Sequence, residues 1–442
     1  MNIRIIRYLL LSIFTLTFLF TGLCANALDA KGAESLSTEN TGKKKIESPG
    51  RYLTLSQVIN RVLQKNPGLL AYNWEIKAKD GIIRQESLLP NPEIEIEIEN
   101  FAGSGEINGF SRAETTIQVG QTIMLGGKRK KRMRAAALDK TISYRDYDRK
   151  LVELVSETKK RFVETLYIQK KLELRKEMFE LSEKFVNKIA VRIEAGRTSP
   201  AELSRATVDL LRNILALKQL KKEQAASKLR LAALWGSTKP GFERVEGELE
   251  IYSFFPKLDV LEARLSQNAD LIRMSSEIDY RKSLLIVEKS YKIPDPTIIG
   301  GVRKLNEPGS TAFTFSFSIP IPIFNRNQGK VKTAYYLLKK AESNYQAVEI
   351  ELLNELKVLY EMLKLIHDNA WMLKTEILPK ALETFTVISK GYELGKFDYL
   401  NVLDAYRTQL EVREEYLQTL SRYWYLIADI ERLTGSNKKG GK

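Results

Sequence analysis

Glu93-Ile94-Glu95-Ile96-Glu97-Ile98-Glu99 alternates charge and hydrocarbon at every step. A period of two is that of a β-strand, whose successive side chains leave on opposite faces, so this stretch has one face of carboxylates and one of isoleucines. After a loop from Asn100 to Ala113 the alternation resumes, with Ile117, Val119 and Ile123 against Thr116, Gln118 and Thr122. A second hairpin follows far downstream: Ile298, Gly300 and Val302, a turn near Pro308-Gly309, then Phe313, Phe315, Phe317 and Ile319 against Thr314, Ser316 and Ser318. Each run has about ten residues, the length of a tilted strand that crosses a bilayer. A soluble sheet with one wet face explains the alternation equally well. Two further facts favour lipid. Four strands in a helix-rich chain are too few for a sandwich core, and the reverse of the phenylalanine face carries hydroxyls, an apolar outside over a polar inside. The smallest such barrels have eight strands and lipid tolerates no open sheet edge, so four strands per chain predict that several chains share one barrel.

Outward from the strands, the chain is written twice. Pro90-Asn91-Pro92 ahead of the first hairpin recurs as Pro294-Asp295-Pro296 ahead of the second. Ala195-Gly196-Arg197 followed by Ala206 matches Leu394-Gly395-Lys396 followed by Ala405, and Gly236 matches Gly435. The offset is about 200 residues throughout, so two halves share one order: helix, Pro-x-Pro, strand, loop, strand, very long helix, glycine turn, helix. Their bounds are 52–244 and 245–434, with strand hairpins near 92–124 and 296–324 and helical turns near 194–202 and 392–401. Leu151, Leu154, Val155, Thr158, Phe162 and Leu166 keep one stripe at three-four spacing, as do Leu352, Leu356, Leu359, Leu363 and Ile366. Only Pro379 interrupts the helical pattern from Arg129 to Ile193 and from Gly329 to Leu394, so each helix could extend roughly 90 Å. A plain coiled-coil rod would account for the stripes but not for the strands.

The 442 residues are 43% hydrophobic, enough for a folded core. Arg4 and Arg7, an apolar run from Tyr8 to Phe20, and Ala25-Asn26-Ala27 read as a signal peptide over 1–27, followed by a flexible segment over 28–51. The last stretch, 435–442, is a basic tail. Cys24 is either a lipid-anchor site or a passenger in the discarded peptide, and bulky Leu23 before it favours the passenger. Without it the mature chain has no thiol, and with one histidine no metal centre, cofactor site or catalytic set is expected. A net charge of +15 invites a nucleic-acid partner, but export and the interleaving of cations with 55 acids argue against one. The exception to interleaving is Lys128-Arg129-Lys130-Lys131-Arg132-Met133-Arg134, placed where a strand hands over to a helix after Gly126-Gly127. It is expected against phospholipid headgroups, and a solvated helix start is the plain alternative.

Leu53-Thr54-Leu55-Ser56 leading to Asn66-Pro67, Leu89-Pro90-Asn91-Pro92, and Tyr392-x-x-Gly395 with Val402-Leu403-Asp404-Ala405 resemble the TolC-type outer-membrane efflux proteins, over nearly the whole chain from Leu53 to Gly435. Glu99-Asn100-Phe101-Ala102-Gly103-Ser104-Gly105 and Gly126-Gly127-Lys128-Arg129 are most similar to the CzcC-like branch, associated with heavy-metal cation export. The resemblance implies a mainly α fold with a small β part. It implies a homotrimer in the bacterial outer membrane, with one twelve-stranded barrel and a periplasmic α-barrel of long antiparallel helices, docked on a periplasmic adaptor and an inner-membrane pump, here a proton-driven cation exporter. It further implies a tunnel that narrows at the second helical turn, where Asp404 matches one inward acidic position and Asn401 stands at the other. Tyr392 matches a position that helps lock the closed turn, while Phe397 stands where some relatives carry an arginine partner. Glu202 and Arg205 occupy equivalent places in the first half and read best as solvated groups.

The function expected is a passive duct, not an enzyme. Glu93, Glu95, Glu97 and Glu99 would line the barrel lumen and favour cations, with Phe313, Phe315, Phe317 and Ile319 towards lipid. A channel for drugs or secreted polypeptide, a periplasmic adaptor, and a secreted enzyme are the rival readings. An adaptor would show one helical hairpin in a β-rich frame, and this chain shows two, each following a strand pair.

Overall fold

The computed structural model describes residues 52–435 with the exception of 197, 253–255 and 308. The expected signal peptide with Cys24, the segment over 28–51 and the basic tail past Gly435 lie outside the described residues.

The chain opens with β1 (Tyr52–Thr54), α1 (Leu55–Lys65) and α2 (Pro67–Glu86). Thr54 and Gln57 close a capping box at the start of α1. Asn66 then starts α2 by accepting from Leu69 N at 3.0 Å, with Pro67 supplying the fixed φ of a first helical residue. Next come β2 (Glu93–Glu99) and β3 (Glu114–Thr122), then α3 (Lys128–Glu194) and α4 (Pro200–Ala233). After β4 (Arg244–Glu246) and the short α5 (Leu258–Arg264) the same order follows again: α6 (Ala269–Ser290), β5 (Thr297–Leu305), β6 (Thr311–Ser318), α7 (Gln328–Met372), α8 (Leu378–Glu393) and α9 (Tyr399–Thr434). Two asparagines do parallel work in the two halves. Asn66 Nδ2 donates to Leu234 O at 2.7 Å and Asn268 Nδ2 to Leu433 O at 2.9 Å, each tying the start of one helix to the end of another.

The four long strands form one antiparallel sheet in the order β2-β3-β5-β6, and β1 pairs with β4 in a separate parallel ribbon. At 7, 9, 9 and 8 residues the strands are shorter than the ten expected. Ile319 falls beyond β6 because Pro320 follows, and a proline has no N–H to carry the ladder on.

At 67 residues α3 runs unbroken for roughly 100 Å. Its counterpart does not. Between α7 and α8, Leu373–Ile377 widens into a π turn, with Leu378 N reaching back to Leu373 O. Pro379 is the cause. It has no N–H for the carbonyl of Thr375 and its ring crowds that carbonyl, so the backbone opens one turn ahead of it.

Next to the sheet the helices stand side by side in the order α2, α3, α6, α7, repeating the strand order above them. Farther from the sheet α3 packs on α4 and α9, and α9 also on α7 and α8. The stripes read from the sequence are the buried ones. Leu154, Phe162 and Leu166 join Val58, Val62, Leu231 and Val245 in one core, and Leu352, Leu356, Leu363 and Ile366 join Leu261, Tyr423 and Leu433 in a second.

Candidate functional site

Registers decide which side chains share a face of the sheet, since residues directly opposite in a ladder point the same way. Glu95 lies opposite Gln118, Gln118 opposite Gly301, and Gly301 opposite Thr314. One face therefore carries Glu93, Glu95, Glu97 and Glu99, then Glu114, Thr116 and Gln118, then Arg303, then Thr314, Ser316 and Ser318. The other carries Ile94, Ile96, Ile98, Ile117, Val119, Ile298, Phe313, Phe315 and Phe317, with Phe313 92% and Ile94 72% exposed. Neither face is covered by the chain itself. The outer edges, β2 and β6, have no strand beside them among the described residues.

The four glutamates do not behave alike. Gln118 Nε2 donates to Glu95 at 2.7 Å, and Glu93 and Glu97 form no ion pair with any described residue. Glu99 is paired instead: Arg303 reaches across β3 to Glu114 at 2.9 Å and Glu99 at 3.2 Å, sharing its one charge between them, and donates to Thr116 Oγ1 at 3.0 Å. Sequence reading missed Arg303, although its parity with Ile299 and Gly301 already assigns it to this face. Beyond it, Arg112 pairs with Glu307 at 2.8 Å and with Glu106, so the loops of both hairpins are joined by charge.

At the opposite end of the sheet the chain bends from β3 into α3 through Gly126 and Gly127, both at left-handed φ of 68° and 67°. A side chain at Gly126 would meet Ile293 Cδ1 at 2.8 Å, so the elbow is pressed directly onto the lead-in to β5. Within the run expected against headgroups the side chains divide. Lys128 is 3% exposed, pairs with Asp295 at 2.7 Å and donates to Ile293 O, while Asp295 also accepts from Leu125 N at 2.8 Å. Arg132 pairs with Glu86 of α2 at 3.0 Å and Lys131 is half-buried. Lys128 and Arg132 fasten α3 to its neighbours, while Arg129, Lys130 and Arg134 remain exposed.

The far ends of the helical hairpins form a third core. α8 ends in a Schellman turn, with Lys396 N on Gly391 O at 2.7 Å and Gly395 N on Tyr392 O at 3.1 Å, which needs the left-handed φ of Gly395. Asp398 caps α9 by accepting from Asn401 N at 3.0 Å. Asn401 and Asp404 sit one turn apart on the exposed side of α9, and Asp404 makes no ion pair with any described residue. Tyr392 does not join them. It is 7% exposed, packed with Ile189, Ala206, Tyr399 and Val402, and the Arg192 guanidinium of α3 stacks 4.8 Å over its ring. Phe397 packs its ring directly against Gly391, where any side chain would collide with it. Burial, reinforced by the Asp209 carboxylate, pushes the Tyr399 hydroxyl up to about 12.

Deeper between α3, α4 and α9, a cavity of about 400 Å³ is lined by Arg175, Asp209, Arg212, Asn213, Arg407 and Glu411. Buried Asp209 pairs there with Arg407, 198 residues away in sequence, and Arg175 pairs with Glu414. No group of three or more metal-ligating side chains occurs among the described residues, and no described helix is long and apolar enough to cross a membrane.

Comparison with known proteins gives one consistent result. The model of the family described as outer membrane efflux protein matches residues 58–237 and 255–436. The chain is 29% identical over 384 residues to the cobalt-zinc-cadmium resistance protein CzcC of Cupriavidus metallidurans, covering 87% of this chain and 90% of that one. It is 19% identical over 295 residues to the nickel and cobalt resistance protein CnrC of the same organism, covering 66% and 69%. The fold superposes on the CmeC outer membrane channel of Campylobacter jejuni with a TM-score of 0.72 at 16% identity, over 88% of this chain and 87% of that one.

Proposed function

This chain belongs to the outer membrane efflux protein family, and on that premise we propose that three copies form the exit duct of a tripartite exporter of heavy-metal cations. Family and fold are those of channels, set in the bacterial outer membrane with a large periplasmic helical part. Such channels work with an adaptor and an inner-membrane pump; a proton-driven cation pump suits the cargo proposed here. The observation that carries the reading is the sheet. It has an exposed apolar face, a polar face on the reverse and, among the described residues, two free edges, and lipid accepts such a sheet only when further copies close it. Three copies would give twelve strands.

Solute then passes without chemistry, and the wall sets the preference. Glu93, Glu95 and Glu97 line the half of the lumen nearer the periplasm with unpaired carboxylate, while at the outer end Arg303 is shared by Glu99 and Glu114 and offsets one of their two charges. At the tunnel end a ring of Asp404 beside a neutral ring of Asn401 would be less anionic than one with both acids. The metal assignment rests on the names of CzcC and CnrC together with this wall.

Two measurements test it. Reversal potentials across planar bilayers should show a cation preference that falls in the Glu93→Gln/Glu95→Gln/Glu97→Gln variant and rises in Arg303→Gln; an unchanged preference in both removes the glutamates from the path. A strain lacking the protein should lose tolerance to divalent metals, and a drug-only phenotype would reject the metal cargo while leaving the channel.

A further inference from the structure

Where the chain passes between sheet and helices, three acids have partners within the chain. Asp295 holds Lys128, Glu86 holds Arg132, and Glu288 accepts from Asn327 Nδ2 at 2.6 Å. The cations at the same level do not. Arg129, Lys130 and Arg134 on α3, Lys292 after α6, and Arg326 and Lys330 at the start of α7 are exposed and form no ion pair with any described residue. Their common level follows from contacts: Gly126 and Lys128 touch Ile293, beside Lys292, and Asn327 bonds to Glu288 one turn before it.

Helical geometry separates these cations from the fastening ones. Lys128, Arg132 and Asp139 lie on the flank of α3 that touches α2 and α6, with Lys79 pairing to Asp139 at 2.6 Å. At 100° per residue, Lys130 and Arg134 fall together on the opposite side, turned away from both neighbours. Just on the sheet side of the cations stand large apolar side chains with nothing over them: Leu89 at 61%, Ile321 at 78% and Phe324 at 89% exposed. Apolar groups in a row, with unpaired Lys and Arg one step farther from the strands, is the order of hydrocarbon and headgroup met on leaving a bilayer.

We propose that this belt binds anionic phospholipid headgroups in the leaflet facing the periplasm, with Arg129, Lys130, Arg134 and Lys330 on the phosphates and Ile321 and Phe324 among the acyl chains. The proposal rests on the reading that the sheet stands in a bilayer. It assigns Lys128 and Arg132 no lipid at all, since their charges are already spent inside the chain.

The full chain, reconstituted into nanodiscs of phosphatidylcholine mixed with phosphatidylglycerol, should retain phosphatidylglycerol about threefold above its bulk share when its bound lipid is weighed by native mass spectrometry. Arg129→Gln/Lys130→Gln/Arg134→Gln/Lys330→Gln should bring retention down to the bulk share, yet insert and conduct normally in phosphatidylcholine alone. Lys221→Gln/Lys222→Gln, removing exposed cations from α4, should leave retention as in the parent. Undiminished retention in the fourfold variant, or bulk composition around an inserted parent protein, overturns the belt and leaves the barrel standing. Failure of the parent to enter any bilayer overturns both.

Discussion

The sheet and the tunnel end solve opposite problems. At the tunnel end, α3, α4, α8 and α9 build a core from one chain: Tyr392 and Tyr399 are covered, the turn is capped at both ends, and Asp209 has Arg407. The sheet supplies almost nothing for itself. Its isoleucines and phenylalanines lie bare and its edges are open among the described residues, so in the proposed barrel its stability would come from lipid and from other copies. A region complete in one chain can be disturbed locally; a region completed from outside fails all at once.

The sharpest way to break the contrast is to put a charge on the bare face. Phe315→Arg should cost about 2–4 kcal/mol per chain near the bilayer midplane, repeated in every copy. Inserted, SDS-resistant oligomer should disappear from gels while far-UV circular dichroism keeps its helical signal. An oligomer that survives intact would place that face away from lipid. The converse substitution is Tyr399→Ala, which should remove about 3–5 kcal/mol from the tunnel-end core in chemical denaturation and leave insertion untouched.

A smaller effect comes from alkali. Burial holds the Tyr399 and Tyr406 hydroxyls up at about 12, against an ordinary 10 in the unfolded chain. The folded state keeps a proton the unfolded state has lost, so the stability these residues give is whole below pH 10 and falls as pH climbs from 10 to 12. Thermal melts of the helical part should drop across that window, and Tyr399→Phe should flatten the drop. A slope no different in Tyr399→Phe would deny this hydroxyl its share.

Much of this was legible without coordinates, wherever periodicity or parity carried it. Alternation in 93–99 and 313–317 assigned both faces of the sheet, and the stripes from Leu154 and Leu352 marked the buried sides of the long helices. What escaped depended on partners far along the chain. Lys128 sits in a run that reads as solvated, and only Asp295, brought alongside by the elbow at Gly126, withdraws it. Tyr392 was expected with Asn401 and Asp404, but a tyrosine at a packed helix end goes to the core when Ile189 and Val402 leave room for it. Pro379 was visible as the one interruption; that the backbone would answer with a π turn rather than a kink was not.

The middle seam of the sheet also fixes an order of assembly. Thr122 on β3 and Thr297 on β5 share a hydrogen bond across 175 residues of intervening chain. Closing a flexible loop of that size costs about 4–5 kcal/mol in chain entropy before a single ladder bond repays it. Packing α3 against α6 brings the two strand ends together, and because β5 follows both in the chain, the ribosome has finished the first helical hairpin and all of α6 before the two strand hairpins can meet. In each half the strand pair is written after one helix and before the longest one, so aligning the helices beneath the sheet shortens the loop that its two hairpins must close.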